Sequence, residues 1–232
     1  MLAVTASVDP DPALPPAWRR PTHGEHRLPS AAAIVAVAVL QLLLPRNLSL
    51  HPRYLTPAIE LALLAVLIAF NPGRIDRRDP LLRRLSLVLI GILFAADAGS
   101  GAALVVELLR GQSSDRPSVL LGTGGAIYAT NVVVFGLWFW ELDRGGPAAR
   151  GQGERAYPDF LFPQMQAGEL VNPDWEPTFT DYLYVSFTNA TAFSPTDTLP
   201  LSRWAKLLMM LESTLAVLLV VLVIARAVNV LK

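Results

Sequence analysis

The chain has 232 residues, of which 53% are hydrophobic and 16% charged, with nineteen basic residues against nineteen acidic ones. Ordinary soluble domains carry about 25% charge. Zero formal net charge argues against a nucleic-acid binder, and the absence of cysteine removes disulfides, thiolate metal sites and cysteine nucleophiles.

Residues 1–27 contain five prolines and no apolar core before a cleavage site, so they read as a disordered cytoplasmic tail rather than a signal peptide. Five apolar segments follow, each near the roughly 20 residues a membrane helix needs. The first, Leu28 to Leu44, stops at Pro45, and the second, Tyr54 to Phe70, stops at Asn71-Pro72-Gly73. The nine residues Pro45 to Arg53 are short enough to make these two an antiparallel hairpin. The third segment runs from Leu85 to Leu109. The fourth, Val119 to Trp140, ends in Trp138, Phe139 and Trp140, residue types favoured at a membrane interface. The fifth is Trp204 to Val230.

The expected fold is therefore all-α: a polytopic membrane bundle of about five transmembrane helices plus one short re-entrant helix. Its parts are the tail 1–27, a four-helix region 28–141, an acidic and aromatic loop 142–178, and a C-terminal unit 179–232. With the N-terminus inside, thirteen basic residues fall on the inner side and six on the outer, of a total of nineteen. That bias predicts a cytoplasmic N-terminus in a cell inner (plasma) membrane. The Arg74–Arg84 loop carries most of the signal.

Within the loop, Gly145 to Glu154 reads as flexible. Between Arg155 and Arg203 there is no basic residue, but there are six acids: Asp159, Glu169, Asp174, Glu176, Asp181 and Asp197. This is either a solvated acidic loop or an electronegative mouth that concentrates cations. A short helix capped by Thr180 or Asp181 should run to about Asn189, too short to cross a bilayer. Ser194-Pro195-Thr196-Asp197 breaks it.

Asp181, Leu183, Tyr184, Ser186, Thr191, Asp197 and Pro200 follow the spacing of a pore helix, filter loop and outer mouth. On these residues the segment 181–230 resembles the pore module of tetrameric potassium channels. The resemblance implies a homo-oligomer, a tetramer if channel-like, and a monovalent cation as the permeating species. Where that family has T-V-G-Y-G, this chain has Ala192-Phe193-Ser194-Pro195-Thr196, with both glycines gone. Carbonyls are aimed at ions in that filter through conformations that glycine reaches easily, and Pro195 fixes φ and removes an N–H. A filter of the usual kind is not expected. The whole chain also resembles a family of uncharacterised bacterial integral membrane proteins. That resemblance rests on the first hairpin, the Arg-rich loop and the F-x-D-Y-x-Y-x-S-F-T run Phe179 to Thr188.

Polar groups inside apolar helices are costly and mark candidate sites. Asp97, Asn131 and Glu212 are the strongest. Asp97 lies in a run of small residues that admits a neighbouring helix, and reads either as a proton or cation site or as a hydrogen-bonded interface carboxyl. Glu60 and Glu107 rank lower because they could reach the interface. No catalytic constellation, metal-ligand spacing or cofactor motif occurs. The expected partner is the lipid bilayer, and no nucleic acid. The competing expectations are an ion-conducting channel-like module, and a non-conducting subunit or small transporter that uses Asp97.

Overall fold

The computed structural model describes residues 15–49, 52–111, 116–167, 170–191 and 197–230. Among them are seven helices: α1 Leu28–Leu43, α2 Leu55–Phe70, α3 Pro80–Arg110, α4 Pro117–Leu142, α5 Pro147–Gly151, α6 Phe179–Thr191 and α7 Arg203–Val230. Two antiparallel two-residue ladders accompany them. β1 (Glu25–His26) pairs with β2 (Arg74–Ile75), and β3 (Phe160–Leu161) pairs with β4 (Leu199–Pro200).

Local chemistry sets the helix ends. Asp79 accepts a hydrogen bond from the Leu81 N–H at 2.7 Å and Pro80 opens α3, a favoured N-terminal pairing. Gly111, at φ 68°, ends α3 in the left-handed conformation that glycine tolerates best. Three helices, α3, α4 and α7, are long and apolar enough to cross a membrane. The remaining two apolar helices fall short of the expected spans. α1 and α2 have 16 residues each, about 24 Å of helix against a hydrocarbon core of about 30 Å. The proline and glycine breakers that end them leave no room for a further turn.

The helices run up and down. One end of the bundle gathers the starts of α1, α3, α6 and α7 and the ends of α2 and α4. Ser86 donates to Glu141 there at 2.8 Å, and Trp204 Nε1 to Asp159 at 2.9 Å. Leu44, Leu48, Leu104, Leu120, Leu219, Val223 and Ala227 pack at the opposite end. α4 is central and packs against α1, α3, α6 and α7. The larger core lies toward the polar end. It includes an aromatic chain from Phe94 through Phe135, Phe139 and Phe160 to Tyr182 and Trp204.

The parts outside the long helices are more ordered than the composition suggests. Residues 15–27, expected as tail, are built into a cap. Trp18 is buried, the Arg20 guanidinium pairs with Asp174 at 2.6 Å, and Thr22 donates to Glu176 at 2.8 Å. Gly145–Glu154 is likewise not a flexible linker. Arg144, Gly145 and Gly146 all take positive φ and turn the chain sharply into α5, and Pro147, Ala149, Arg150 and Gly151 are buried. A Cβ at Gly146 would sit 3.1 Å from the Glu141 carbonyl oxygen, so the turn also needs the missing side chain.

Candidate functional site

The C-terminal unit enters the bundle through α6. Asp181 accepts from both the N–H (2.8 Å) and the hydroxyl (3.0 Å) of Thr178. The cap is thus Thr178, earlier than Thr180 or Asp181, with Asp181 reaching back from the first turn. Helix α6 runs on to Thr191, and its buried face of Tyr182, Val185, Ser186 and Ala190 packs against α4 and α7. The approach to α4 is close: a Cβ on Gly136 would lie 3.1 Å from the Leu183 Cα. The chain then returns. Leu199–Pro200 pairs with Leu161–Phe160, so both ends of the 179–200 segment lie at the polar end of the bundle.

Two of the expected site residues, Ser186 and Glu212, meet inside. The Ser186 hydroxyl contacts the Val132 carbonyl oxygen at 2.6 Å and donates to the Glu212 carboxyl. Asn189, not singled out in the sequence, donates to Glu212 Oε2 at 2.6 Å and to the Met209 carbonyl at 2.9 Å. Ser213 donates back to the Asn189 carbonyl at 3.1 Å. The carboxyl of Glu212 is fully buried. The i, i+3 spacing of Ser186 and Asn189 is the signal that could have found this cluster.

The other candidates are dispersed. Tyr184 is exposed on the outer face of α6 with Thr180, Phe187 and Thr191. The Thr191 hydroxyl bonds its own helix, at the Phe187 carbonyl (2.7 Å). Asp197 is exposed. Ala192, Phe193, Ser194, Pro195 and Thr196 lie outside the described residues. The acidic stretch is largely paired: Asp159, Asp174, Glu176 and Asp181 all have partners, and Glu169 also lies outside the described residues.

Asp97 and Asn131 face a common level. Ser86 meets Glu141 and Phe94 meets Phe135, with ring centroids 5.8 Å apart, while a Cβ on Gly101 would lie 3.7 Å from Ile127. This antiparallel register sets Asp97 of α3 opposite Asn131 of α4. Both are buried, and both keep an unpartnered polar atom, Asp97 Oδ1 and Asn131 Nδ2. Glu60 is also fully buried rather than reaching the interface. It accepts from Gln41 at 3.0 Å through one oxygen and keeps Oε2 without a partner. A small cavity joins Gln41, Thr56 and Pro57 to Ala96 and Ser100, which places Glu60 within a turn of the Asp97 level. Glu107 bonds Asn47 at 2.5 Å near the far end.

The polar end is closed by a buried ion cluster absent from the sequence reading. Arg150 donates to the Trp140 carbonyl (2.5 Å) and the Asp143 carbonyl (3.0 Å), and lies 3.8 Å from Glu25. Its guanidinium sits 4.8 Å from the Tyr182 ring centroid. Glu25 in turn accepts from Trp140 Nε1 at 2.7 Å and from the Phe179 N–H. The Tyr182 hydroxyl donates to Asp143. Burial pushes the Glu25 carboxyl above its ordinary value of 4.5, against the pull of Arg150. Burial also raises the Tyr182 phenol well above its usual range, opposed by Arg150 and helped by Asp143. For Arg150 burial acts against the charge, but Tyr182, Asp143 and Glu25 outweigh it and raise the guanidinium pKa.

Comparison with family models, with curated proteins and with solved structures finds no match to this chain.

Proposed function

We propose that the chain is a multi-pass plasma-membrane protein whose α4, α6 and α7 form a re-entrant pore module that conducts monovalent cations as a homo-oligomer. The observation that carries this reading is the placing of residues 179–191 and 199–200. The first enter between α4 and α7 as a 13-residue helix, and the second lie at the end where that helix starts. A lone chain cannot enclose a symmetric pore, and the outer stripe Thr180, Tyr184, Phe187 and Thr191 is left for neighbouring copies. In this reading α1 and α2 also cross, with local thinning of the bilayer, to give five spans. The arginine-rich end is cytoplasmic. The run Phe179 to Thr188 supports membership of the uncharacterised bacterial membrane-protein family. Lacking filter glycines, the pore would discriminate poorly between potassium and sodium.

The test is cation flux in proteoliposomes holding the full chain. Flux of both ions above empty vesicles, reduced at low ionic strength by Asp197→Asn, is expected. No flux with either orientation of insertion overturns the proposal.

A second reading rests on the unpartnered atoms of Glu60, Asp97 and Asn131 inside the bundle. Buried polar groups without partners are costly, and in membrane helices they mark ion or proton paths. In this reading the protein moves protons or a small cation through Asp97. Asp97→Asn would then abolish pH-driven uptake while leaving the chain folded. Unchanged uptake in that variant excludes it.

A further inference from the structure

A cleft of about 180 Å³ opens at the polar end of the bundle, between the start of α3 and the end of α4. Arg27, Arg77, Arg78 and Arg83 line it, against the two carboxylates Asp79 and Glu141. Both carboxylates are already engaged. Asp79 caps α3, and Glu141 accepts from Ser86 and faces Arg150, Arg83 and Arg27. The arginines are less committed. Arg27 spends Nε on the Asn71 carbonyl at 3.0 Å, and Arg78 pairs with Glu154 at the rim. Among the described residues the guanidinium groups of Arg77 and Arg83 make no hydrogen bond and no salt bridge, and Arg83 is held only by its attraction to Glu141.

Buried Leu67 and Trp140, together with Leu82, supply apolar surface inside the cleft beside the buried Glu141 carboxyl. Guanidinium forks match phosphate oxygens in geometry and charge. A basic pocket between helix ends, with apolar surface inside, matches an amphiphile that has a phosphate head. We propose that this cleft is a binding site for a phosphate group, and that Arg77 and Arg83 are its principal contacts. The site shares the end of α4 with the re-entrant module, but it does not depend on conduction.

The experiment uses the full chain purified in neutral detergent, with lipid retention and thermal unfolding as readouts. Dioleoyl-phosphatidylglycerol, dioleoyl-phosphatidylcholine and inorganic phosphate are added separately. An Arg77→Gln/Arg83→Gln double variant is compared with an Arg46→Gln/Arg110→Gln control at the opposite end. Phosphatidylglycerol is expected to be retained and to raise the unfolding temperature of the parent chain, with phosphatidylcholine inert. The double variant is expected to bind roughly twenty-fivefold more weakly, about fivefold per arginine, and the control to bind as the parent does. An equal effect from inorganic phosphate supports the site with a soluble ligand as its source. Retention that is the same in both double variants overturns the proposal.

Discussion

At the residue scale the polar end depends on a few buried charges. Arg150 is almost fully buried and satisfies two carbonyls while balancing Glu25. Removing one partner of a buried pair leaves the other uncompensated, at a cost of about 3–5 kcal/mol. Arg150→Met should therefore lower the unfolding temperature sharply. Arg150→Lys should recover only part of the loss, because a point charge cannot serve two carbonyls as a planar fork does. Thermal unfolding in detergent measures both. The pH dependence of Glu25 follows from the direction of its shift. Its folded pKa lies above 4.5, so the folded state holds the proton longer than the unfolded one. Stability from this group is full below that value and falls as pH rises toward the folded pKa, then levels off. Glu25→Gln should flatten that decline, and unfolding temperatures across the window would show no flattening if Glu25 were ionised throughout. Residue pairings of this kind were the least legible part of the sequence. Glu25 and Phe179 are 154 positions apart, and nothing local to either announces the other. Gln41 and Glu60 are different: they lie on the two arms of the first hairpin, only 19 positions apart, so a contact between them was within reach of the hairpin reading.

At the element scale, apolar runs and breakers defined the helices well. Asn71-Pro72-Gly73 ended α2 where expected, and the short helix before Thr191 was visible from its hydroxyls and aromatics. Its cap was misplaced because Thr178, Thr180 and Asp181 all suit the role by type, and only geometry selects Thr178, which donates to Asp181 through both its N–H and its hydroxyl. Close helix approach was expected around Asp97. Close approaches are also found at Gly136 against the α6 backbone and at Gly124, where a Cβ would come within 2.8 Å of Val223. Overpacking a filled interface costs about 1–3 kcal/mol. Gly136→Ala should be mildly destabilising, and Gly136→Leu should displace α6. Cysteine substituted at Leu183 should be protected from a water-soluble thiol reagent in the parent and become reactive in Gly136→Leu. Protection in both would show that α6 is held by other contacts. The Ser186–Glu212 bond offers a second check. Ser186→Ala removes one donor from a buried carboxyl and should cost about 1–3 kcal/mol, with Ser186→Thr retaining more stability than Ser186→Ala.

At the scale of the whole molecule, the up-and-down path collects thirteen of the nineteen basic residues toward one end, as the loop charges implied. A membrane protein with this path should expose residues 78 and 154, which are ion-paired to each other, on one side and residues 46 and 110 on the other. Single cysteines at these positions, in a chain with none of its own, would report it by labelling with an impermeant reagent. Finding 78 and 154 on opposite sides would refute the arrangement. Proline-rich composition made residues 15–27 look unstructured, because such a reading sees what a segment lacks. It cannot see the acidic partners that arrive from residues 174 and 176 to meet Arg20 and Thr22.

The reach of Glu25 has a consequence for how the chain is made. During synthesis this residue leaves the ribosome early, yet one of its two donors, the Phe179 N–H, emerges only after α4 is complete. The seat of the N-terminal strand is complete only when both β2 and the start of α6 have been made. The second half of the chain therefore lacks part of its packing by itself. A gene fragment encoding α4 to α7 alone would leave the Trp140 indole and the first turn of α6 facing an empty seat, and co-expressed residues 15–111, which carry α1 to α3, should refill it in trans.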